Sequence, residues 1–264
     1  MLDIKVLGTG CAECLKMEQL VIEVLQALGI HDAHVELVSE QRMIEYGLLG
    51  DRAPGLLING KLAWAGSVPT KEQLTGWLRQ ALVTSSPPET VALRDGTTVT
   101  IRPIHPDDAP RLEAFFARLS PETIFSRFLE YHKELPQKEV ERLVNSDYHM
   151  RMALVAARKQ NGDEEIVAVA SYDVIEPAKR DLAEVAIVTE DRFRSWGLGT
   201  LLMNRLAAYA RRHGIRALLA SVHHSDDQAI WLIRHSGLPV ESRLESGVWE
   251  IRVNLEAMPV SEVD

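Results

Sequence analysis

The sequence predicts an α/β protein of two unequal domains, a β-α-β-α-β-β-α unit over residues 1–83 and a second α/β unit over residues 91–256. Three observations predict it. The 264 residues fit one large domain or two small ones. Short β-rich runs alternate with amphipathic helical patterns along the chain. Between them, Val83-Thr84-Ser85-Ser86-Pro87-Pro88-Glu89-Thr90 breaks both patterns, because adjacent prolines cannot continue a helix, so residues 84–90 read as a linker. Residues 257–264 read as an acidic, frayed tail.

Composition narrows the function classes. With 46% hydrophobic and 25% charged residues, collagen-like, low-complexity and wholly disordered readings fail. A formal charge of −9, negative on both sides of the linker and without a basic stripe, argues against nucleic acid or an anionic membrane as partner. No apolar run approaches the ~20 residues that span a bilayer. The start, Met1-Leu2-Asp3-Ile4-Lys5, carries no basic-then-apolar export signal, so the expected location is cytoplasmic.

In the first domain, Asp3–Leu7 is a β-rich run and the pattern over 12–28 is helical. Leu15, Gln19 and Ile22 with Leu20, Val21, Leu25 and Leu28 give one broad apolar face, and Gly29 supplies a stop. His34–Val38 reads as a second strand, and Ser39 as the cap of a helix over 39–46. Gly55–Ile58 and 62–65 read as strands joined at Asn59-Gly60, and Thr70 with Gln73 makes a capping-box start for the last helix.

Both cysteines fall in Cys11-Ala12-Glu13-Cys14, at the first strand-to-helix turn. A secreted disulfide scaffold would spread its cysteines, and a structural zinc site takes four ligands. The pair reads as a redox dithiol, with idle thiols or adventitious metal binding as the alternatives. Cys11 at a helix N-terminus is favoured as a thiolate, and Cys14 one turn further is placed to resolve a mixed disulfide. Glu13 adds a negative charge that opposes the thiolate.

With its element order, its C-x-x-C and Ala53-Pro54 before the third strand, this segment resembles a small thioredoxin-like domain over about its first 83 residues. The resemblance implies that Pro54 is a cis-proline packed against the dithiol, and that the chain has a thiol-disulfide redox partner. Two departures stand out: no Trp precedes the motif, and its middle pair is Ala-Glu rather than Gly-Pro.

In the second domain, Asp95-Gly96 is a turn leading into a strand that alternates Val99, Ile101 and Pro103. Pro106-Asp107-Asp108 is the acidic start of a helix whose apolar face is Leu112, Phe115, Phe116 and Leu119. Ser120-Pro121 is an N-cap with proline at the first helical position, for a helix to about Phe128. Strands follow over 153–157, 166–174 and 183–188. Phe115, Phe116, Phe125, Phe128 and Trp231 are expected in the core, with a lining of the acceptor channel as the alternative for some of them.

After the last of these strands comes Arg194-Ser195-Trp196-Gly197-Leu198-Gly199-Thr200, then a helix with Leu201, Leu202, Leu206 and Ala207 facing inward as far as Arg212. Gly197 and Gly199 let the backbone approach a diphosphate, the free amides of a helix start point at it, and Arg194 adds charge. A lone G-x-G is equally a plain turn. In this context the chain resembles the GNAT superfamily of acyl-CoA N-acyltransferases, whose pyrophosphate loop reads Q/R-x-x-G-x-G/A, over about 89 to 255. Arg94-Asp95-Gly96-Thr97 with Ile101-Arg102-Pro103-Ile104, Leu119-Ser120-Pro121-Glu122-Thr123 with Arg127-Phe128, and Ala183-Glu184-Val185-Ala186 are similar to the catalytic domain of bacterial protein-lysine acetyltransferases.

The resemblance implies a mixed-sheet α/β fold for this domain, acetyl-CoA as cosubstrate and an amine acceptor, a protein lysine first and a small-molecule amine second. It implies that Ile187, Val188 and Thr189 offer backbone groups to the acetyl carbonyl and pantetheine arm, and that Arg194 to Thr200 hold the diphosphate. Asp226 stands where many relatives place an Asn that bonds the cofactor arm, and Ile233 where many place a tyrosine acid. Glu184 stands at the position of the catalytic glutamate; its alternative is an outward strand residue or salt-bridge partner. A lysine amine with pKa near ~10.4 is protonated at neutral pH and needs such a base. With no cysteine in this domain, direct attack in a ternary complex is expected rather than an acyl-enzyme. His223, His224 and His235 are expected as surface or capping residues, and no metal is expected. The fusion implies regulation of acetylation by the dithiol. A reading from another class makes the chain a redox module whose acyltransferase domain senses CoA with weak or lost turnover.

Overall fold

The computed structural model of the chain describes residues 2–8, 10–30, 33–38, 53–84, 88–160, 162–176, 179 and 181–256. It divides into two compact units, Met1–Ser86 and Pro87–Asp264.

The first unit runs β1 (Asp3–Leu7), α1 (Ala12–Ala27), β2 (His34–Val38), β3 (Gly55–Ile58), β4 (Lys61–Ala65) and α2 (Lys71–Thr84). Its sheet has the order β2-β1-β3-β4, with β1 and β2 parallel and the other pairs antiparallel. The helix expected over 39–46 lies outside the described residues. Asn59 and Gly60, both at positive φ (51° and 77°), make the tight turn between β3 and β4. At the start of α2 the Thr70 amide donates to Gln73 Oε1 (3.0 Å) and the Gln73 amide to Thr70 Oγ1 (3.2 Å), a reciprocal capping box. Gly29, at φ 68°, ends α1 as expected.

The buried stripe of α1 is Cys14, Met17, Val21, Val24 and Leu25, and the last four pack into one core with Ile4 and Val6 of β1 and Leu74 and Leu78 of α2. Leu15 and Ile22, expected on that face, are 52% and 42% exposed. Each stands one residue, about 100° of helix, beyond a stripe residue, so apolar character alone mislocates them.

The second unit runs β5 (Glu89–Ala92), β6 (Thr98–Pro103), α3 (Ala109–Phe116), α4 (Pro121–Phe128), α5 (Gln137–Val144), β7 (Arg151–Gln160), β8 (Asp163–Val174), β9 (Leu182–Thr189), α6 (Leu198–Arg212), β10 (Ala217–His223), α7 (Asp227–Arg234), β11 (Val240–Glu245) and β12 (Val248–Asn254). The sheet order is β11-β12-β10-β9-β8-β7-β6-β5. It is mixed because β9 and β10 are parallel and joined through α6, whereas the other neighbours pair antiparallel. Apolar residues of α3 and α5 pack with Ala153, Val155, Ile166 and Val169 of β7 and β8 into the core.

Three expectations change. Glu89 and Thr90, read as linker, are the first residues of β5 and pair with Ile101 and Thr100. Their strand holds one strongly apolar residue, Val91, too few to show a period. Trp231, expected in the core, is 55% exposed, while Phe125 is half-buried between the rings of Tyr131 and His223. Pro106–Asp108 is a 3-10 turn ahead of α3, and Asp108 is buried there rather than solvated at a helix start.

Asp108 Oδ2 and Oδ1 accept from Arg102 at 2.6 and 2.8 Å, and the His105 amide donates to Oδ2 at 2.8 Å. Burial opposes ionisation of this carboxyl, but the Arg102 and His105 hydrogen bonds and the Arg102 and Arg111 charges outweigh it and hold its pKa low. The stabilisation is therefore complete above the ordinary carboxyl value of ~3.9 and is lost as pH falls through the lower folded value. Asp108→Asn is expected to lower stability at neutral pH by about 3 kcal/mol. Urea unfolding should show that loss shrinking below pH ~4.

Candidate active site

The parallel ladder between β9 and β10 ends early. It pairs Leu182, Ala183 and Glu184 with Ala217, Leu218 and Leu219 and then stops. Beyond it, residues 185–189 stay paired with β8 alone and residues 220–223 with β12 alone. The strands part there, and a cleft of about 1030 Å³ occupies the gap. The open stretch of β9 is five residues, about 17 Å at ~3.3 Å per residue. Ile187, Val188 and Thr189 lie along it and line the cleft.

At the far end of that stretch the chain turns into α6. Gly197 is the N-cap at φ 86°, a conformation that suits glycine. A Cβ on Gly199 would lie 2.6 Å from Leu232 Cδ1, so glycine lets the start of α6 come close to α7. The helical ladder begins with Leu201 N to Gly197 O at 3.0 Å, so the amides ahead of it, on residues that line the cleft, stand outside the ladder. Arg194, Ser195, Leu198 and Thr200 also line the cleft. Trp196 does not; its ring packs edge-on against Phe193.

The turn is braced by residues that sequence reasoning did not connect to it. Asp191 accepts from Thr123 Oγ1 (2.6 Å) and from the amide and hydroxyl of Ser120 (both 2.9 Å). Arg194 donates to Thr123 Oγ1 and stands 3.4 Å from Asp191 Oδ1. Burial disfavours the Asp191 carboxylate, but these hydrogen bonds and the Arg194 charge prevail and hold its pKa low. Asp226 lines the cleft as the N-cap of α7, its Oδ1 accepting from the Ala229 amide at 2.9 Å.

Glu184 is exposed and lines the other end, where the strands are still paired. Across the β8–β9 pair it faces Asp173. Asp173 bonds Arg142, Arg142 bonds Glu139 (2.6 Å), and Glu139 accepts from Arg127 (3.0 Å), which lines the cleft as well. Burial lowers the Arg127 pKa, against the opposing pull of Glu139, Glu184 and Asp173. His223 Nδ1 contacts Ser225 Oγ (2.7 Å) and His235 Nδ1 contacts the Trp231 carbonyl (2.8 Å), both local turn or helix contacts. Ile233 is buried. Among the described residues no group of three His, Cys, Asp or Glu could hold a metal, and no helix is long and apolar enough to cross a membrane.

In the first unit Cys11 is exposed at the N-cap of α1 and Cys14 is buried, with 2.7 Å between their sulfurs. Burial, first, and the hydrogen bond with Cys11 raise the Cys14 pKa. Glycine is needed at Gly8 because a Cβ there would collide with Cys14 Sγ. The Ala53-Pro54 bond is cis. Glu13, expected to oppose a thiolate, is paired with Lys16 at 2.8 Å, which offsets its charge.

A chain with a thioredoxin-type sheet ahead of a mixed sheet split over a glycine turn defines a class, a thioredoxin-fold domain fused to an acyltransferase, and comparison with known proteins agrees. The thioredoxin domain model matches residues 2–79, and the acetyltransferase (GNAT) family model matches residues 116–237. An acetyltransferase of Pseudomonas aeruginosa is 34% identical over 127 residues, 48% of this chain and 67% of that protein. A thioredoxin of Methanothermobacter thermautotrophicus is 39% identical over 75 residues, 28% of this chain and 94% of its own length. The crystal structure of the GNAT domain of S. lividans PAT aligns with a TM-score of 0.58 at 32% identity, covering 63% of this chain and 96% of that one. The chain belongs to the GNAT acetyltransferase family and carries an N-terminal thioredoxin domain.

Proposed function

We propose that the GNAT domain transfers the acetyl group of acetyl-CoA to the amine of a protein lysine by direct attack in a ternary complex. The observation that carries this reading is the β9–β10 opening, bounded by Glu184 at one end and by the Arg194–Gly199 turn at the other. The turn supplies amides, glycine clearance and positive charge for a diphosphate. The open edge of β9 supplies backbone groups along an extended thioester arm, including donors for the carbonyl oxygen as it gains charge. Glu184 takes a proton from the ammonium, directly or through one water. The free amine then adds to the thioester carbon, the C–S bond breaks, the nitrogen gives its second proton to water, and the thiolate takes a proton from water to leave as CoA. The products are an amide and a thiol, with no change of oxidation state.

An exposed Glu184, with Asp173 beside it, favours a cationic acceptor presented from outside, as a lysine on a protein surface is. Mass spectrometry of protein and small-amine panels incubated with acetyl-CoA tests this. Acetyl groups on protein lysines support it; acetylation of small amines alone moves the acceptor to that class.

The exposed Cys11 above a buried Cys14 favours a second activity, thiol–disulfide exchange with a redox partner. Its state is read as regulating acetyl transfer. Different transfer rates for the reduced and oxidised protein support that coupling, and equal rates reject it.

A further inference from the structure

Arg94 has no role in the acetyl-transfer scheme, and its surroundings give it one. It follows Leu93, which is buried, and precedes the Asp95-Gly96 turn between β5 and β6. That turn is firmly built. The Leu93 amide donates to Thr97 O (2.8 Å), Gly96 sits at φ 85°, and Asp95 accepts from the Thr97 amide (2.9 Å) and hydroxyl (2.6 Å). In sheet order β5 is the edge strand, with β6, β7 and β8 between it and the cleft strand β9. Arg94 nevertheless lines the cleft, with its Nε 3.8 Å from where a Cβ of Gly197 would be. It gets there alongside α6, which an Arg205–Glu89 ion pair ties to β5.

Charge accounting at the turn singles it out. Three arginines line the cleft, Arg94, Arg127 and Arg194. Arg127 is paired with Glu139, and Arg194 is engaged by Asp191 and Thr123. Arg94 is exposed and has no carboxylate partner among the described residues. The motif arginine is thus held and partly neutralised, and the guanidinium left to meet an anion at the start of α6 comes from a hairpin outside the motif.

We propose that Arg94 is a phosphate-binding residue of the CoA site, pairing with a phosphate group of the bound nucleotide, either the diphosphate or the 3′-phosphate monoester. This rests on the acetyl-CoA reading above. A guanidinium presents a planar fork of donors to phosphate oxygens, and a charge-assisted pair of this kind contributes more than a neutral hydrogen bond.

Calorimetric titration of wild type, Arg94→Ala and Arg94→Lys with CoA, dephospho-CoA and pantetheine tests the proposal in the full-length protein. Arg94→Ala should weaken CoA binding about 10-fold. Arg94→Lys should recover part of the loss, since it keeps charge without the fork. Equal weakening for CoA and dephospho-CoA assigns the contact to the diphosphate; weakening for CoA alone assigns it to the 3′-phosphate. The wild-type advantage should shrink with added salt. Unchanged CoA affinity in Arg94→Ala, or the same loss for pantetheine, which has no phosphate, overturns the proposal while leaving the acetyl-CoA reading intact. If wild type itself binds no CoA, the acetyl-CoA reading fails and this one with it.

Discussion

Glu184→Gln is expected to lower acetyl transfer to a lysine acceptor by at least ~100-fold at pH 7, the scale of a lost general base. CoA binding should be unchanged, because Glu184 lies at the paired end of the strands and the diphosphate turn at the other. The deficit has a defined pH dependence. A lysine amine titrates near ~10.4, so the fraction already free rises with pH, and the variant should regain rate relative to wild type towards alkaline pH. Stopped-flow measurement of CoA thiol release across pH 6.5 to ~9.5 checks both points. A pH-independent deficit would remove Glu184 as the base.

Cys11→Ser is expected to abolish disulfide exchange altogether, whereas Cys14→Ser should still form a mixed disulfide that then persists. The asymmetry follows from placement. Cys11 is the exposed sulfur at the N-cap of α1 and receives the Cys14 amide at 3.4 Å, while burial keeps Cys14 protonated to higher pH. An attacking thiolate must be reached by its target, and the second sulfur, 2.7 Å away, is placed to displace the partner. Reaction with a chromogenic disulfide, followed by intact-mass analysis, distinguishes the two variants. Equal trapping by both would contradict the assignment of roles.

The parts of this molecule legible in the sequence are those written in contiguous residues. Asn59-Gly60, the Thr70 and Gln73 box, the Ser120-Pro121 cap and the Arg194–Gly199 turn each carry their geometry within a few positions. The run Ala217–His223 opens on four consecutive apolar residues, which have no period to separate strand from helix. Gln137–Val144 has only three apolar residues, and Val240–Glu245 is a polar edge strand. The site residues missed were those that meet only in the fold. Thr123 and Arg194 are 71 positions apart, and Arg94 approaches Gly197 from a different hairpin. The motif places only Arg194 at the turn; the packing alone brings Arg94 and Arg127 to the cleft and decides which arginines Asp191 and Glu139 neutralise. Trp231 departs from the core for a related reason: its apolar class predicts burial, whereas on α7 it is exposed and lines the cleft, the alternative that the aromatics also allowed.

The most direct test of the account is a single-turnover reaction of the full-length protein with acetyl-CoA and a lysine-bearing protein, following CoA thiol and acetyl-lysine together. The account predicts equal amounts of both, formed at the same rate, with no acetyl group on the enzyme when the acceptor is omitted. Tight CoA binding with neither CoA release nor acetylation for any protein or small amine would contradict it.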